Sequence, residues 1–572
     1  MDPDSRSHLQ YFVFLATVIV LVVPLGAYMA RVFEGKKTWL GGFLGPLERL
    51  IYRIGGVNPA EEQNWKAYVL SFIAFSLAGT LILYAILRLQ QHLPFYSPKD
   101  MTAPMTPDLA ANTAISFATT STWQAYGGET TMSYASQMLG LCAQNFMAGA
   151  AGLAVGIAFI RGLARERSAT LGNFWVDLTR ATLYVLMPLS VLGAVALLAL
   201  GVPMNFSAYS HLMTLEGAQQ VIANGPVAAL EIIKNLGTNG GGFYNANAAH
   251  PFETPSNAVN LISLLAIAAL PAALTRTFGL MVQRTRDGWV LLCVMVALFT
   301  AGLVICDKAE RTTNPALVAS HIATGNFEGK EVRFGIGGSV LAAVTTSNGA
   351  TGSTNSAHDS YTPVGGSVPL SNMLLGEMIF GGLGTGIYSI VFVALLGLFL
   401  CGLMVGRTPE YLGKKITKYE IQLVVLYTLT CPLLVLGLTA LAVAIPQGLA
   451  GLTTNSGAHG FTEIFFGYSS SFANNGQSFG GLSANSPFYN VTTAAAMMGG
   501  RFLLAVPALA LAGAFAEQGR KPITKGTLPT DSLTFAAILA GTVMLVTGLS
   551  FLPALALGPV VEHFQMERGM LR

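Results

Sequence analysis

Four times along this 572-residue chain the same order of segments recurs: a long apolar run, a short one, a polar loop, and a second long apolar run. The short runs are Pro107–Ala118, Gly225–Leu236, Phe334–Val344 and His459–Phe472. Each leads into a loop of Gly, Asn, Ser and Thr. The loops read Thr119-Thr-Ser-Thr-Trp-Gln124, Gly237-Thr-Asn-Gly-Gly-Gly242, Thr345-Thr-Ser-Asn-Gly-Ala-Thr-Gly352 and Ala473-Asn-Asn-Gly-Gln-Ser478. A helix needs roughly 20 apolar residues to cross the hydrocarbon core, so the short runs can enter a membrane but not cross it. Irregular backbone at that depth is tolerated only where it is buried in protein or lines a wet cavity. Four such loops in one chain can close a ring about a single axis and line it with backbone carbonyls.

The chain is 52% hydrophobic and 10% charged, against about 25% charged in soluble globular proteins, which makes it a polytopic membrane protein. A net charge of +3, scattered along the chain, excludes a nucleic-acid binder. Cys142, Cys293, Cys306, Cys401 and Cys431 lie in or beside apolar runs without paired spacing, so neither a disulfide framework nor a zinc site is expected. The runs long enough to cross are Tyr11–Ala30, Ala67–Leu87, Leu139–Ile160, Ala181–Val202, Ser256–Thr275, Gly288–Cys306, Val368–Gly406, Ile421–Ile445, Asn490–Ala516 and Thr534–Gly558. The first exceeds the usual signal-peptide core of roughly 7–15 residues and lacks a cleavage site after it, so it reads as a retained span. The seventh is interrupted by Gly376, Gly381-Gly382, Gly384 and Gly386, most densely at Phe380–Gly386, which suggests a broken helix because each interior Gly costs about 1 kcal/mol.

Positive charge then orients the spans. Linkers Arg31–Lys66, Arg161–Arg180, Arg276–Asp287, Arg407–Lys418 and Arg520–Lys525 hold 20 of the 31 Lys and Arg residues. By the positive-inside rule these linkers are cytoplasmic, which puts both termini, all eight histidines and all four polar loops outside. The expected fold is all-α, with ten transmembrane helices: four pseudo-symmetric repeats of span, pore helix, filter and span at 67–167, 168–287, 288–418 and 419–525. One extra span stands at each end, within 1–66 and 526–572.

An ion entering a membrane exchanges its hydration shell for protein oxygens, and backbone carbonyls offer these without fixed charge. Gly permits the turns that aim successive carbonyls inward. Thr, Ser and Asn add oxygens and lock the loop by local bonds. The C-terminal end of each short helix favours a cation. No Asp or Glu occurs in the four loops, which suits a large monovalent cation, K⁺ first, better than Mg²⁺ or Ca²⁺. The chain has no G-x-x-x-x-G-K-[ST] loop and no Ser/His/Asp, His-x-x-x-His or two-carboxylate cluster within its spans. No nucleotide or catalytic site of its own is expected, so it either conducts passively or draws energy from another subunit.

At Gly237–Asn247 with His250-Pro-Phe-Glu253, at His358-Asp-Ser360, Gly406–Lys415, Ser483–Phe488 and Leu552–Pro559, the sequence resembles KdpA, the potassium-binding A subunits of the bacterial Kdp potassium-importing P-type ATPases. The resemblance covers essentially the whole chain. It implies the fold of the superfamily of K⁺ transporters and a place in the inner membrane. It also implies three partners: an ATP-hydrolysing P-type subunit, a single-span accessory subunit and a very small membrane subunit. The subunit would capture extracytoplasmic K⁺ at its filter and pass it through a lateral tunnel to the ATP-hydrolysing subunit.

The same resemblance maps the filter onto Thr119, Thr120, Ser121, Thr122 and Gln124; Thr238, Asn239, Gly240 and Gly241; Thr351, Gly352 and Ser353; and Asn474, Asn475 and Gly476. The third register is open between Gly349, counted from Thr345-Thr346, and Gly352, counted back from His358-Asp-Ser360, with the second preferred. Arg501 inside the ninth run is expected to face the cavity below the filter as a positive barrier, with Glu377 as its counterpart on the ion route; a snorkelling or helix-pairing Arg is the alternative. Gly381, Gly382 and Gly384 then form a gating loop or, equally, a helix-packing surface. His358 and Asp359 are expected as loop anchors at the outer surface. The alternative to a pump subunit is a passive or secondary K⁺-translocating subunit of the same superfamily, paired with a soluble regulator.

Overall fold

The structure is a computed structural model describing residues 3–312, 325–404, 406, 409–521 and 528–569. His321, Arg407, Thr408, most of linker Arg520–Lys525 and the last residues of the C-terminal tail lie outside the described residues. Among the described residues, ten helices are long and apolar enough to cross a membrane: Ser5–Phe33, Trp65–His92, Ser136–Ala164, Phe174–Ala199, Asn257–Met281, Thr285–Arg311, Thr385–Met404, Lys418–Ala444, Pro487–Glu517 and Leu533–Glu567. We refer to them as spans one to ten. Each answers to one of the ten apolar runs, the seventh only to its second half, and several start beside polar residues that satisfy the first turn. Asn64, Ser256, Ser486 and Ser532 accept from backbone N–H groups as N-caps, and Thr417 with Glu420 forms a capping box. Such caps satisfy donors that have no partner inside the helix.

Burial alternates along the chain. In spans three, five, seven and nine, 61 to 83% of the apolar window is buried within the protein; in spans two, four, six and eight the share is 17 to 39%. The second helix of each pair is therefore central and the first peripheral. Span one is also peripheral. It docks on span five where Gly26 leaves room for the Ala273 carbonyl and Thr277 Oγ1 donates to the Gly26 carbonyl at 3.1 Å.

Four short helices stand between the members of the pairs: Pro107–Ala118, Val227–Leu236, Gly335–Asn348 and Gly457–Phe472. The first matches its expected bounds. The third runs four residues past Val344, so Thr345–Asn348, expected in the loop, is helical. Its polar side chains bond inward, Ser347 Oγ to the Ala343 carbonyl and Asn348 Nδ2 to that of Val344, so their polarity does not end the helix.

The long seventh run is two helices, Pro363–Leu374 and Thr385–Met404, joined by a buried segment. The break begins at Leu375, earlier than Phe380, and Thr385 and Gly386 already belong to the second helix. Two features had no sequence signal: the linker helix Gly41–Gly55 and the hairpin Ser210–Met213 with Gln219–Ile222.

Linkers assigned to opposite sides by charge gather separately. Arg165 pairs with Glu62 at 2.6 Å and Arg520 with Glu166 at 3.2 Å within the basic set. In the other set His211 meets Asp100 at 3.1 Å, and Tyr11 donates to Asp307 at 2.6 Å.

Candidate ion site: four loops around one axis

The ends of the four short helices share one hydrogen-bond pattern. The residue after each helix, Thr119, Gly237, Gly349 or Ala473, donates its N–H to the carbonyl four residues back. Two residues further on, Ser121, Asn239, Thr351 and Asn475 each donate to the carbonyl five residues back. Between them stand Thr120, Thr238, Ala350 and Asn474, with φ of 67°, 50°, 48° and 49°. A β-branched residue in that left-handed region is a genuine outlier. It persists only where its surroundings over-determine it, as at functional sites. The fourth position is Thr122, Gly240, Gly352 or Gly476, so Gly352, not Gly349, stands level with the glycines of the second and fourth loops. Gly349 is the helix cap; a Cβ there would meet the Ile267 side chain at 2.4 Å and reach no neighbouring loop.

Consecutive loops touch, and the last returns to the first. Thr122 Oγ1 donates to the Asn239 carbonyl. A Cβ on Gly240 would lie 2.1 Å from the Gly352 nitrogen, one on Gly352 would lie 2.7 Å from the Asn475 carbonyl oxygen, and one on Gly476 would lie 2.2 Å from that of Ser121. Side chains reinforce the closure: Asn474 Nδ2 donates to Ser121 Oγ at 2.7 Å, and Asn475 Nδ2 to the Thr346 carbonyl at 3.1 Å. Gln124 brackets the second loop, accepting from Gly242 N at 2.8 Å and donating to its carbonyl at 3.3 Å. A Cβ on Gly241 would approach Gln124 Oε1 at 3.0 Å. Ser353 N is held by Thr346 Oγ1 at 3.0 Å. Every residue expected in the filter lies in this ring.

Behind the second loop lies an ionic cluster that sequence reasoning left unassigned. Lys234 Nζ is 2.6 Å from both Glu231 Oε2 and Glu253 Oε2, and all three side chains are fully buried. The ammonium also donates to Asn247 Oδ1 at 2.9 Å, while Asn247 Nδ2 donates to the Gly352 carbonyl at 2.8 Å. The Lys234 carbonyl accepts from Asn239 and Gly240. Buried charges persist only when paired and hydrogen-bonded, so this cluster welds loop two to loop three. The signal was His250-Pro-Phe-Glu253, whose glutamate is the counter-charge.

The loops' inner ends rest on two other features. Arg501, buried in span nine, donates to Thr120 Oγ1 at 3.3 Å and to the Ala148 carbonyl at 2.9 Å, with its guanidinium 5.3 Å from the Phe72 ring. The break before span seven lies under loops two and three: Leu383 N donates to Thr238 Oγ1 at 2.7 Å, and a Cβ on Gly382 would lie 3.2 Å from that of Ala350. Gly152 of span three separates the two, since a Cβ there would meet the Leu383 carbonyl at 2.6 Å and an Arg501 nitrogen at 3.4 Å. No recorded ion pair joins Glu377 to Arg501; Glu377 is buried within the break at φ 55°.

On the opposite rim Asp359 acts as an anchor, accepting from His459 Nε2 and Asn455, each at 2.8 Å. Glu562 takes the other ring nitrogen of His459 at 2.6 Å. Burial would push the His459 pKa down, but its two carboxylate hydrogen bonds raise it to about 10. His358 is not at the surface as expected: it is buried, with both ring nitrogens unpartnered, because Tyr361 and Phe466 enclose it.

This multi-pass helical protein, whose four polar loops close a ring, shares its fold with a membrane protein of known structure. The potassium transporter TrkH from Vibrio parahaemolyticus superposes with a TM-score of 0.50 at 14% identity, over 86% of this chain and 96% of that one. The family model of the potassium-transporting ATPase A subunit, KdpA, matches residues 12–564, and the chain belongs to that family. The potassium-transporting ATPase potassium-binding subunit of a Methylorubrum extorquens strain is 52% identical over 561 residues, and that of Mesorhizobium japonicum 51%, each spanning 98% of both chains. Family membership sets aside the passive or secondary subunit as the reading of this chain.

Proposed function

We propose that this chain is the potassium-binding, non-catalytic subunit of an ATP-driven K⁺ import complex, and that the ring of loops is its filter. The closed ring carries the reading: four loops of one geometry, in contact, with no carboxylate in any of them. A K⁺ ion sheds water there onto backbone carbonyls and onto Thr and Asn oxygens held by the surrounding hydrogen bonds. The cost of aiming those groups was met on folding, so the site binds without rearranging.

Thr120, Thr238, Ala350 and Asn474 mark the inner end of the filter. Arg501 and the break at Leu375–Gly384 stand beneath it, so an ion leaving inward meets a fixed positive charge and a plug of packed backbone. Arg501 repels a cation, Glu377 offers a carboxylate on the route, and Gly381, Gly382 and Gly384 form the gating segment. The ion therefore leaves sideways, to the ATP-hydrolysing P-type subunit, with a single-span subunit and a very small membrane subunit completing the complex. The charge distribution supports basic linkers in the bacterial cytoplasm, filter mouth and both termini outside, and four pseudo-symmetric repeats with a span added at each end.

The test is ATP hydrolysis by the purified complex against K⁺ and Na⁺, wild type beside Gly240→Asp. Stimulation by K⁺ and not Na⁺, with the preference weakened in the variant, is expected. Hydrolysis indifferent to K⁺ would refute the filter.

A further inference from the structure

The linker helix Gly41–Gly55 takes no part in the ring, yet its side chains sort into three stripes. Leu44, Gly45 and Tyr52 are buried against the protein. Between them Glu48 accepts from Tyr52 at 2.8 Å, Tyr184 at 2.7 Å and Arg180 at 3.2 Å. A second stripe is apolar and open: Phe43 83% exposed, Leu47 40%, Leu50 49%, Ile51 37% and Ile54 79%. At helical spacing these five fall within an arc of roughly 100°. The third stripe carries Arg49 and Arg53, both exposed, neither side chain in a recorded ion pair or hydrogen bond. An apolar stripe flanked by free cations is the pattern of a helix lying in a membrane interface. The location agrees, because the helix joins the end of span one to the start of span two.

Beside it a cavity of about 200 Å³ is lined by Lys36, Lys37, Arg49 and Arg180, with Glu48 as the sole acidic lining residue. That carboxylate is already taken by its three donors, and Lys36 pairs with Glu34 at 2.6 Å. Lys37 and Arg49 are left without a counter-charge. The first residue of the helix, Gly41, opens into the same cavity, adding the partial positive charge of a helix start. The cavity thus presents cations beside an apolar rail, and nothing among the described residues fills either.

We infer that this helix seats an anionic phospholipid, its phosphate between Lys37 and Arg49 and its acyl chains along Phe43–Ile54. The site tethers the linker to the leaflet and holds Arg180 and Tyr184, hence the start of span four, through Glu48. It stands apart from the filter, so its failure leaves the proposed function untouched.

The experiment uses the whole complex. Native mass spectrometry would follow retained phosphatidylglycerol and phosphatidylcholine in wild type and in Lys37→Gln/Arg49→Gln. Each basic residue near an anionic surface is worth about 1 kcal/mol, so the double variant is expected to hold phosphatidylglycerol roughly thirtyfold less well. K⁺-stimulated hydrolysis in detergent should be unchanged, as the control for folding. In an otherwise wild-type complex, a photo-crosslinking residue at Phe43, in nanodiscs containing phosphatidylglycerol, should label lipid. Equal retention by the variant, equal retention of phosphatidylcholine, occupancy by inorganic phosphate alone, or a crosslink from position 43 to another subunit would each overturn the inference.

Discussion

Two stretches of this protein leave the helix in the buried centre of the molecule, and they are held by different means. In the ring of loops Thr120, Thr238, Ala350 and Asn474, all left-handed, are each flanked by the same pair of backbone hydrogen bonds. Side chains of the adjoining loops then bond across, and Lys234 with its two glutamates braces the second loop from behind. The break before span seven has Gly376, Glu377, Phe380 and Gly384 at positive φ, but its hydrogen bond to the ring is Leu383 N to Thr238 Oγ1. Close packing supplies the rest, with Gly384 against the backbone of Gly152 and Gly156. Directional bonds fix positions to tenths of an ångström, as the filter role proposed for the ring requires. Glycine-on-glycine packing excludes water and ions while leaving few bonds to break, which suits the gating role proposed for this segment.

The contrast breaks most sharply at Gly240. Ala there puts a Cβ 2.1 Å from the Gly352 nitrogen, a backbone atom that cannot step aside. We expect the apparent K⁺ affinity of ATP hydrolysis to fall by about a hundredfold, equivalent to roughly 2.8 kcal/mol. Gly349→Ala meets the Ile267 Cγ2 methyl and the Thr345 carbonyl oxygen of its own helix, not a neighbouring loop, and should lower thermal stability while leaving ion preference alone. Equal effects of the two on selectivity would return the third register to Gly349.

Next in size is Arg501→Ala, which removes the charge and both donors beneath the first loop. About a tenfold loss of apparent affinity and a K⁺ leak in proteoliposomes are expected. Tight vesicles with unchanged affinity would leave Arg501 a helix-pairing residue.

Gly384→Ala probes the break itself: the new Cβ would lie 2.0 Å from the Gly152 carbonyl oxygen. A leak is expected with affinity changed less than about threefold, because the bonds of the ring remain. Gly376→Ala meets no atom nearer than 3.9 Å and carries only the strain of its positive φ, about 1 kcal/mol. If Gly376→Ala leaked as much as Gly384→Ala, close packing would not be what closes the break.

The smallest effect lies on the rim. His459 has a pKa raised to about 10, above its unfolded value of about 6.5. Its stabilisation is therefore complete below pH 6.5 and lost as pH rises through 10. The melting temperature of the wild type should fall between pH 7 and 10 by about 1–2 °C more than that of His459→Gln. Parallel curves would show that the Asp359–His459–Glu562 bridge adds nothing measurable.

The ten spans and four short helices were legible because each rests on a local cause: enough apolar residues to cross, or too few, followed by residues that tolerate a turn. The bounds slipped where polar side chains bonded back to their own helix, as Thr345–Asn348 do. The linker helix Gly41–Gly55 escaped notice because its apolar stripe is short and broken by charges. The role of Lys234 was marked only by the His250-Pro-Phe-Glu253 stretch, because its second partner, Glu253, lies beyond the loop that both of them brace.

Segment order and length, membrane residence and the four polar loops were determined by sequence alone, since they follow from hydrophobicity and residue type within short windows. Only the tertiary structure decided that Gly352 meets Gly240 and Gly476, that Gly152 divides Arg501 from the break, and that His358 is enclosed. Each of those outcomes needs at least one residue a hundred or more positions away to arrive in the same place, and no local pattern encodes such a distance.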